Sequence, residues 1–337
     1  MDVNFSDAQR QDSRAIIGLG GPNNSGKTVS ALRLATGITQ LTGGDILYVD
    51  TENKRALKYA DSFKFKHFDF EPPFTAERYL EVLQKADKGG KPGSVIIFDS
   101  MSHEHEGMGG LLERSEQYLD EKCKGDAWKR DKLLMASQIE PKMARTRLIQ
   151  NGLQRANSYI ILCFRAKDKV KPIKTPYIDQ HGQKKEKTEV VNLGIQIIGG
   201  IEYGHEVDVM FILPMGSQGN PAWNEEASRI NDYKGDLIRA LKAIPQIDEE
   251  MGRVIKNYFS VQKTDAELKD DGRAAARIGV DSLKNWWSSI GGVKQKAIGG
   301  AVFLDELKAI AAKGAPAGAA VTGLQAPTTS GNDGAPI

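Results

Sequence analysis

Cysteine is scarce in this chain: Cys123 and Cys163 are the only two in 337 residues. Two thiols make neither a disulfide framework nor a metal-binding quartet, and a reducing cytoplasm is predicted. Cys163 stands in an apolar run and is expected to be a buried thiol. Long apolar runs are also missing. None approaches the ~20 residues needed to cross a bilayer, so no membrane partner is expected. Met1 to Arg14 is polar throughout, which predicts no signal peptide. An excess of one charge is missing too: 46 Lys and Arg face 44 Asp and Glu, for a net charge of +2. The chain is not a polycation, and any contact with nucleic acid has to come from a local patch. Internal repeats and helicase motifs are not visible. What remains, at 40% hydrophobic residues, suffices for one large α/β core and a smaller appendage.

The strongest local signal is Gly21-Pro22-Asn23-Asn24-Ser25-Gly26-Lys27-Thr28, which fits the phosphate-binding pattern G-x-x-x-x-G-K-[ST]. A short apolar strand, Ala15 to Leu19, precedes it, and a helix from Val29 to Ile38 follows. Gly21 and Gly26 let the backbone curl so that successive N–H groups point at phosphate oxygens. The positive end of the helix adds to that field. Lys27 is expected on the β- and γ-phosphates of ATP, and Thr28 on Mg²⁺.

A second apolar strand, Ile46 to Val49, runs into Asp50-Thr51-Glu52-Asn53. The carboxyl ends of strands line the ligand crevice of an open α/β sheet, which places Asp50 and Glu52 near the phosphates. Glu52 is either the group that deprotonates the attacking water or part of a solvent-facing acidic turn; the loop upstream favours the first. Lys66 to Phe70 reads as a short strand with His67 an ordinary strand residue, and Thr75 as the cap of a helix carrying Ala76, Tyr79, Leu80, Leu83 and Ala86. Val95-Ile96-Ile97-Phe98-Asp99-Ser100 is an apolar run ending in an acid, roughly 70 residues beyond the loop. It has the Walker B pattern, with Asp99 as the carboxylate that holds Mg²⁺.

The following Ser102-His103-Glu104-His105-Glu106 alternates possible ligands, but no third cluster accompanies it. A group that senses the γ-phosphate or the attacking water is the favoured reading over a metal site. Gly107 to Asp126 reads as an exposed helix or a mobile lid, with Trp128 as its anchor. Pro141 to Lys167 contains no acid at all, and its helical part leads into the strand Tyr159 to Phe164. Arg165, at that strand's end, is either a γ-phosphate sensor or a paired surface arginine. Lys167 to Glu189 reads as a loop or hairpin with a turn at Asp179 to Gly182. It carries Lys167, Lys169, Lys171, Lys174, Lys184, Lys185 and Lys187 as candidate contacts to DNA, and Tyr177 as a base-stacking candidate. A solvated hairpin is the alternative.

Val190 to Pro214 is expected to add late strands to the sheet. Ile238 to Ile247 and Glu249 to Tyr258 are predicted helices. Asp271 to Ser289 is predicted as one helix stopped by Gly291-Gly292, with Trp286-Trp287 either a packing anchor or a base-stacking pair, and Val302 to Lys313 as another. The organisation expected is a flexible terminus over 1–13, a core over 14–262, a helical appendage over 263–314 and a disordered tail over 315–337.

The phosphate loop, Tyr48-Val49-Asp50-Thr51-Glu52, Val95 to Ser100 and the basic helix leading into Ile160 to Phe164 follow one another as they do in RecA-like ATPases. More closely, the set resembles the phage-encoded AAA/RecA-like ATPases that include the Sak-type single-strand annealing proteins. Asp99 to Glu104, Gly200 to Tyr203 and Val207 to Val209 are similar to that group in particular. The resemblance implies a RecA-like core with a mostly parallel sheet, ATP hydrolysis with Mg²⁺, and action on single-stranded DNA in phage recombination or replication. It implies Glu52 as the catalytic glutamate, Asp99 as the Mg²⁺-ordering acid, and a DNA-binding loop after Phe164. It also implies a homo-oligomer, with a single-strand-binding protein or other phage replication proteins as partners. Where RecA itself carries Asn-Gln after the sensor strand, this chain has Arg165-Ala166. A nucleotide-switched binding module and a packaging-type motor are the rival functions.

Overall fold

The computed structural model describes residues 5–8, 11–178, 184–223, 229–230, 235–260 and 265–314. The chain divides into two compact units, Met1–Ser260 and Val261–Ile337.

In the first unit, β1 (Ile16–Gly21) leads into α1 (Lys27–Thr42), and β2 (Ile46–Asp50) into β3 (Lys66–Asp69) and α2 (Ala76–Gly89). β4 (Val95–Asp99) is followed by the short α3 (His103–Glu106), then α4 (Leu111–Cys123), α5 (Ala127–Ser137) and α6 (Ile139–Asn151). β5 (Tyr159–Ile178) and β6 (Lys184–Ile197) come next, then α7 (Ile201–Glu206), β7 (Val209–Ile212), β8 (Arg229–Ile230), α8 (Asp236–Lys242) and α9 (Glu249–Phe259). The strands form an eight-stranded sheet in the order β3-β2-β4-β5-β1-β7-β8, with β6 paired to β5 outside that path. β8 and β6 are antiparallel to their neighbours; the other pairings are parallel. The fold is thus α/β, with a mostly parallel sheet flanked by helices on both faces.

The central strands are buried on both faces, so their sequences are continuous apolar runs rather than alternating ones. In β4, Ile97 packs with α1 and α9, while Ile96 and Phe98 pack with α2 and α6 on the other side. α1 and α9 cross closely because Gly37 and Gly252 face each other's backbones. A Cβ on Gly37 would sit 1.9 Å from the Glu249 carbonyl oxygen, and one on Gly252 would sit 2.3 Å from that of Leu34. That crossing brings Glu249 beside Arg33, where the two side chains pair at 3.0 Å.

Several sequence expectations need correction. The helix after the glycine-rich loop runs a turn longer at its far end, to Thr42. Residues 107–126 are not one exposed helix. α4 packs Leu111, Leu119 and Cys123 inward, and Trp128 anchors nothing, being 68% exposed at the start of α5. The region 190–214 adds only β7 to the core sheet, since β6 belongs to a hairpin and residues 201–206 are helical. The helix expected over 238–247 ends at Lys242. The turn expected at 179–182 and the tail from Ala315 lie outside the described residues.

The second unit holds α10 (Asp265–Ile278), α11 (Val280–Ala297) and α12 (Gly300–Gly314) around Leu268, Ala276, Leu283, Trp287, Leu304 and Leu307. The single helix expected over 271–289 is broken at Gly279, whose φ of 140° is left-handed territory. Gly291 and Gly292, expected to stop it, lie inside α11, which runs on to Ala297. Trp287 is a packing residue at 2% exposure, and Trp286 covers Gly272. No helix among the described residues is long and apolar enough to cross a membrane.

Candidate functional site: a glycine-rich loop facing two carboxylates

Parallel pairing puts the carboxyl ends of β1, β5, β4 and β2 on one edge of the sheet. Gly21 stands beside Arg165, Asp99 beside Cys163, and Asp50 beside Asp99. Side chains scattered over roughly 145 residues of sequence therefore meet in one crevice, as expected at strand ends in an open sheet.

Between β1 and α1 the chain turns through two left-handed residues, Asn24 (φ 61°) and Gly26 (φ 95°). Gly26 is the N-cap of α1 and offers no side-chain acceptor to the first-turn N–H groups, and no acid stands in that turn. The positive end of a 16-residue helix is left facing the crevice. The Lys27 ammonium folds back over the loop and donates to the carbonyl oxygens of Gly21 (2.9 Å) and Pro22 (2.8 Å). Burial lowers its pKa from the ordinary lysine value, and Arg165 adds to that shift. Ser25 Oγ is buried without a hydrogen-bond partner among the described residues.

Asp99 is held by two hydroxyl groups. Its Oδ2 accepts from the Thr28 hydroxyl at 2.7 Å and from the Tyr48 hydroxyl at 2.6 Å. Burial raises its pKa, and the two hydroxyls act against that rise. Tyr48 was not among the sequence candidates. Its position in β2, one strand over from Asp99, is a register fact invisible before the sheet is assembled.

Glu52 faces the same crevice in a different state. Oε1 accepts from Arg165 Nη2 at 2.9 Å, and Oε2 from Arg55 Nη1 at 3.1 Å. Burial pushes its carboxyl up, but the two guanidiniums outweigh that and hold it below the ordinary glutamate value. Asp50, expected near the phosphates, is instead an organiser of the turn. Its Oδ1 accepts from the Glu52 N–H (2.7 Å), and its Oδ2 from the Ala56 N–H (3.0 Å), with His67 Nε2 at 3.2 Å. His67 is thereby part of that bracing rather than an ordinary strand residue. Arg55, another residue that sequence reading passed over, follows two left-handed residues, Asn53 and Lys54, that turn it toward Glu52.

The His-Glu alternation does not make a ligand set, because residues 103–106 are helical and point different ways. Among the described residues no group of three or more His, Cys, Asp or Glu is placed to hold a metal. Glu104 and Arg145 form a buried fork, each side chain 2% exposed, at 2.9–3.2 Å. Removing one partner alone would strand a buried charge, at about 3–5 kcal/mol. His105 lies 3.1 Å from the same Arg145, and His103 Nδ1 lies 2.7 Å from Thr51 Oγ1. Glu106 lies 3.7 Å from Arg165.

Arg165 is also the last residue of β5 to pair with the core sheet. Its N–H donates to Ser102 Oγ at 2.9 Å, and its carbonyl accepts from the Ile198 N–H at 2.7 Å. Beyond it, β5 pairs only with β6, from Ala166↔Ile197 to Ile178↔Lys184, as a long antiparallel arm with an irregularity at Lys169. Lys167, Lys169, Lys171, Lys174 and Lys187 are exposed on that arm. Lys174 pairs with Glu186 at 3.2 Å and Lys187 with Glu189 at 3.5 Å. The side chains of Tyr177, Lys184 and Lys185 lie outside the described residues.

A phosphate chain and a divalent cation fit this donor set. The loop, the uncapped helix end and Lys27 supply positive charge and N–H donors. Thr28 and Asp99 supply the hard oxygens Mg²⁺ prefers. The crevice has a volume of about 420 Å³. No family model matches the chain, and no curated protein matches it.

Proposed function

We propose that this chain is a Mg²⁺-dependent ATPase of the RecA-like kind that handles single-stranded DNA through its β5–β6 arm, in phage recombination or replication. The observation that carries the reading is the placement of Thr28 and Lys27 of an uncapped phosphate loop against Asp99, with Glu52 on the same wall. The DNA and phage parts rest on the motif resemblance and on the exposed lysines of the arm.

The N–H groups of residues 23–28 bind the β- and γ-phosphate oxygens. Lys27 exchanges the carbonyls of Gly21 and Pro22 for those oxygens. Thr28 and Asp99 hold Mg²⁺, which when bound neutralises charge on the phosphates. Water attacks the γ-phosphorus, the bond to the β–γ bridging oxygen breaks, and Glu52 takes the water's proton. Arg165 leaves Glu52 for the γ-phosphate, freeing the base and stabilising the charge that develops. Because the Arg165 backbone is bonded to Ser102 and Ile198 at the root of the arm, that exchange moves the arm between gripping and releasing DNA.

The test is ATP turnover with and without a single-stranded oligonucleotide, together with DNA binding at several salt concentrations. Stimulated turnover and salt-sensitive binding are expected; unchanged turnover with no salt-sensitive binding removes the reading. One observation favours a second reading, a nucleotide-switched binding module with little turnover: Glu52 is held between two guanidiniums, which makes it a weak base until released. Glu52→Gln separates the two, since a switch that does not hydrolyse keeps its DNA activity in that variant.

A further inference from the structure

α5 and α6 are joined end to end. The single residue between them, Gln138, keeps helical angles (φ −91°, ψ −8°). Its N–H donates to the Met135 carbonyl and its carbonyl accepts from the Lys142 N–H, so the helical ladder carries across the joint. One side of the pair is packed: Ser137, Pro141, Ala144 and Leu148 are buried. The opposite side carries Trp128, Met135, Ile139 and Met143, whose helical spacing sets them in one row. They are 68%, 74%, 58% and 52% exposed. A single exposed apolar side chain is ordinary, but four large ones in a row over about 22 Å of helix mark a contact surface.

The charges beside the row select what it contacts. Lys132, Lys142 and Arg147 are exposed, and none of them meets a carboxylate among the described residues. Of the two acids on these helices, Glu140 is taken by Arg114, which leaves Asp131 against three unpaired cations. An apolar row flanked by free positive charge complements an acidic partner. Nucleic acid matches it poorly. Methionine and isoleucine offer no stacking plane, and the Trp128 ring is covered by the Lys132 ammonium, 3.3 Å from its centre. A bilayer surface calls for a broad apolar face. This row is one side chain wide with charges on its flanks, the width of a helix–helix seam. Its methionines can adapt to a facing side chain, and its tryptophan supplies a large anchor.

We infer that the row from Trp128 to Met143 is a docking surface for an acidic amphipathic helix of another protein, about 15 residues long. Its apolar side chains pack between Met135, Ile139 and Met143, and its carboxylates pair with Lys132, Lys142 and Arg147. The surface uses no residue of the crevice or of the β5–β6 arm, so the inference does not rest on the triphosphate reading.

The test is selection of peptides about 16 residues long from a random display library against the full chain. The recovered peptides are then titrated by fluorescence anisotropy with wild type, Met135→Ser/Ile139→Ser and Lys142→Glu. These positions are at the surface, so thermal unfolding of the variants should match wild type. The peptides are expected to be net acidic, with apolar residues at three- and four-residue spacing. They should bind the double variant at least about tenfold more weakly. Binding to Lys142→Glu should be weaker and less sensitive to salt. No enriched sequence, basic or neutral sequences, or affinities that the variants leave unchanged overturn the inference. Binding to phosphatidylglycerol vesicles that the double variant abolishes would make the row a membrane contact and overturn it too. So would a wild-type dimer, seen by light scattering, that the double variant dissociates, since the row would then be covered by a second copy of this chain.

Discussion

Glu52 accepts a hydrogen bond from Arg165 at 2.9 Å, so the residue expected to activate water and the residue expected to read the γ-phosphate are bound to each other. Each occupies the other until something draws Arg165 away. Glu52→Gln should lower turnover by ~10²–10⁴ while triphosphate binding is kept. Arg165→Ala should lower it by ~10² and remove any stimulation by single-stranded DNA. Steady-state turnover of the two variants checks this. DNA-stimulated turnover at the normal rate in Arg165→Ala would show that the arm is not driven through this residue.

The same pair sets an acid limit on stability. Arg165 and Arg55 hold Glu52 below its ordinary value of 4.5, despite the opposing effect of burial. A depressed carboxyl stabilises the fold fully above that ordinary value, and the contribution is lost as pH falls through the lowered one. Denaturant unfolding of wild type and Glu52→Gln should show a constant stability difference at neutral pH that shrinks below about pH 4.5. A difference that persists at strongly acid pH would mean the ion pairs are not what supports Glu52.

Tyr48→Phe isolates the second carboxylate. The Tyr48 hydroxyl opposes the upward push of burial on Asp99. Without it the proton competes with Mg²⁺ at higher pH. The Mg²⁺ concentration for half-maximal turnover should rise, more at pH 6 than at pH 8, with a stability loss of about 1 kcal/mol. An equal Mg²⁺ requirement at both pH values would dismiss Tyr48 as a positioning residue.

Gly26→Ala asks whether the loop's curl is needed. Its φ of 95° strains any L side chain, and a Cβ would lie 2.8 Å from the Gly219 nitrogen. Thermal unfolding should report a loss of about 1–2 kcal/mol, and triphosphate binding should be weakened more than that loss explains. Full-strength binding by the variant would mean that phosphates do not sit in the curl.

On the arm, Lys167, Lys169 and Lys171 precede the paired Lys174. Changing all three to Ala should flatten the salt dependence of oligonucleotide binding by ~0.7 in the log–log slope for each phosphate no longer neutralised. An unchanged slope would place DNA elsewhere.

The parts legible in sequence were those with a local cause. The curl at residues 21–28 needs glycines and a helix immediately after, and the apolar runs ending in Asp50 and Asp99 need only two-sided burial. Helix ends were less legible where packing overrode composition. Gly291-Gly292 reads as a stop, but α11 runs through it to Ala297, where Ile298 at its end is buried. The charge alternation at residues 103–106 reads as a ligand set only if extended, and its helical form turns Glu104 toward a partner 41 residues away.

The sequence alone determined that a glycine-rich turn joins a strand to a helix and that acids follow two buried strands, because those signals lie within single segments of chain. Tertiary structure decided what each acid touches. Strand order brought Tyr48 to Asp99, turned Asp50 inward to build the bend, and set Arg165 against Glu52. Contacts across 113 residues depend on which strands lie side by side, and no local spacing encodes that order.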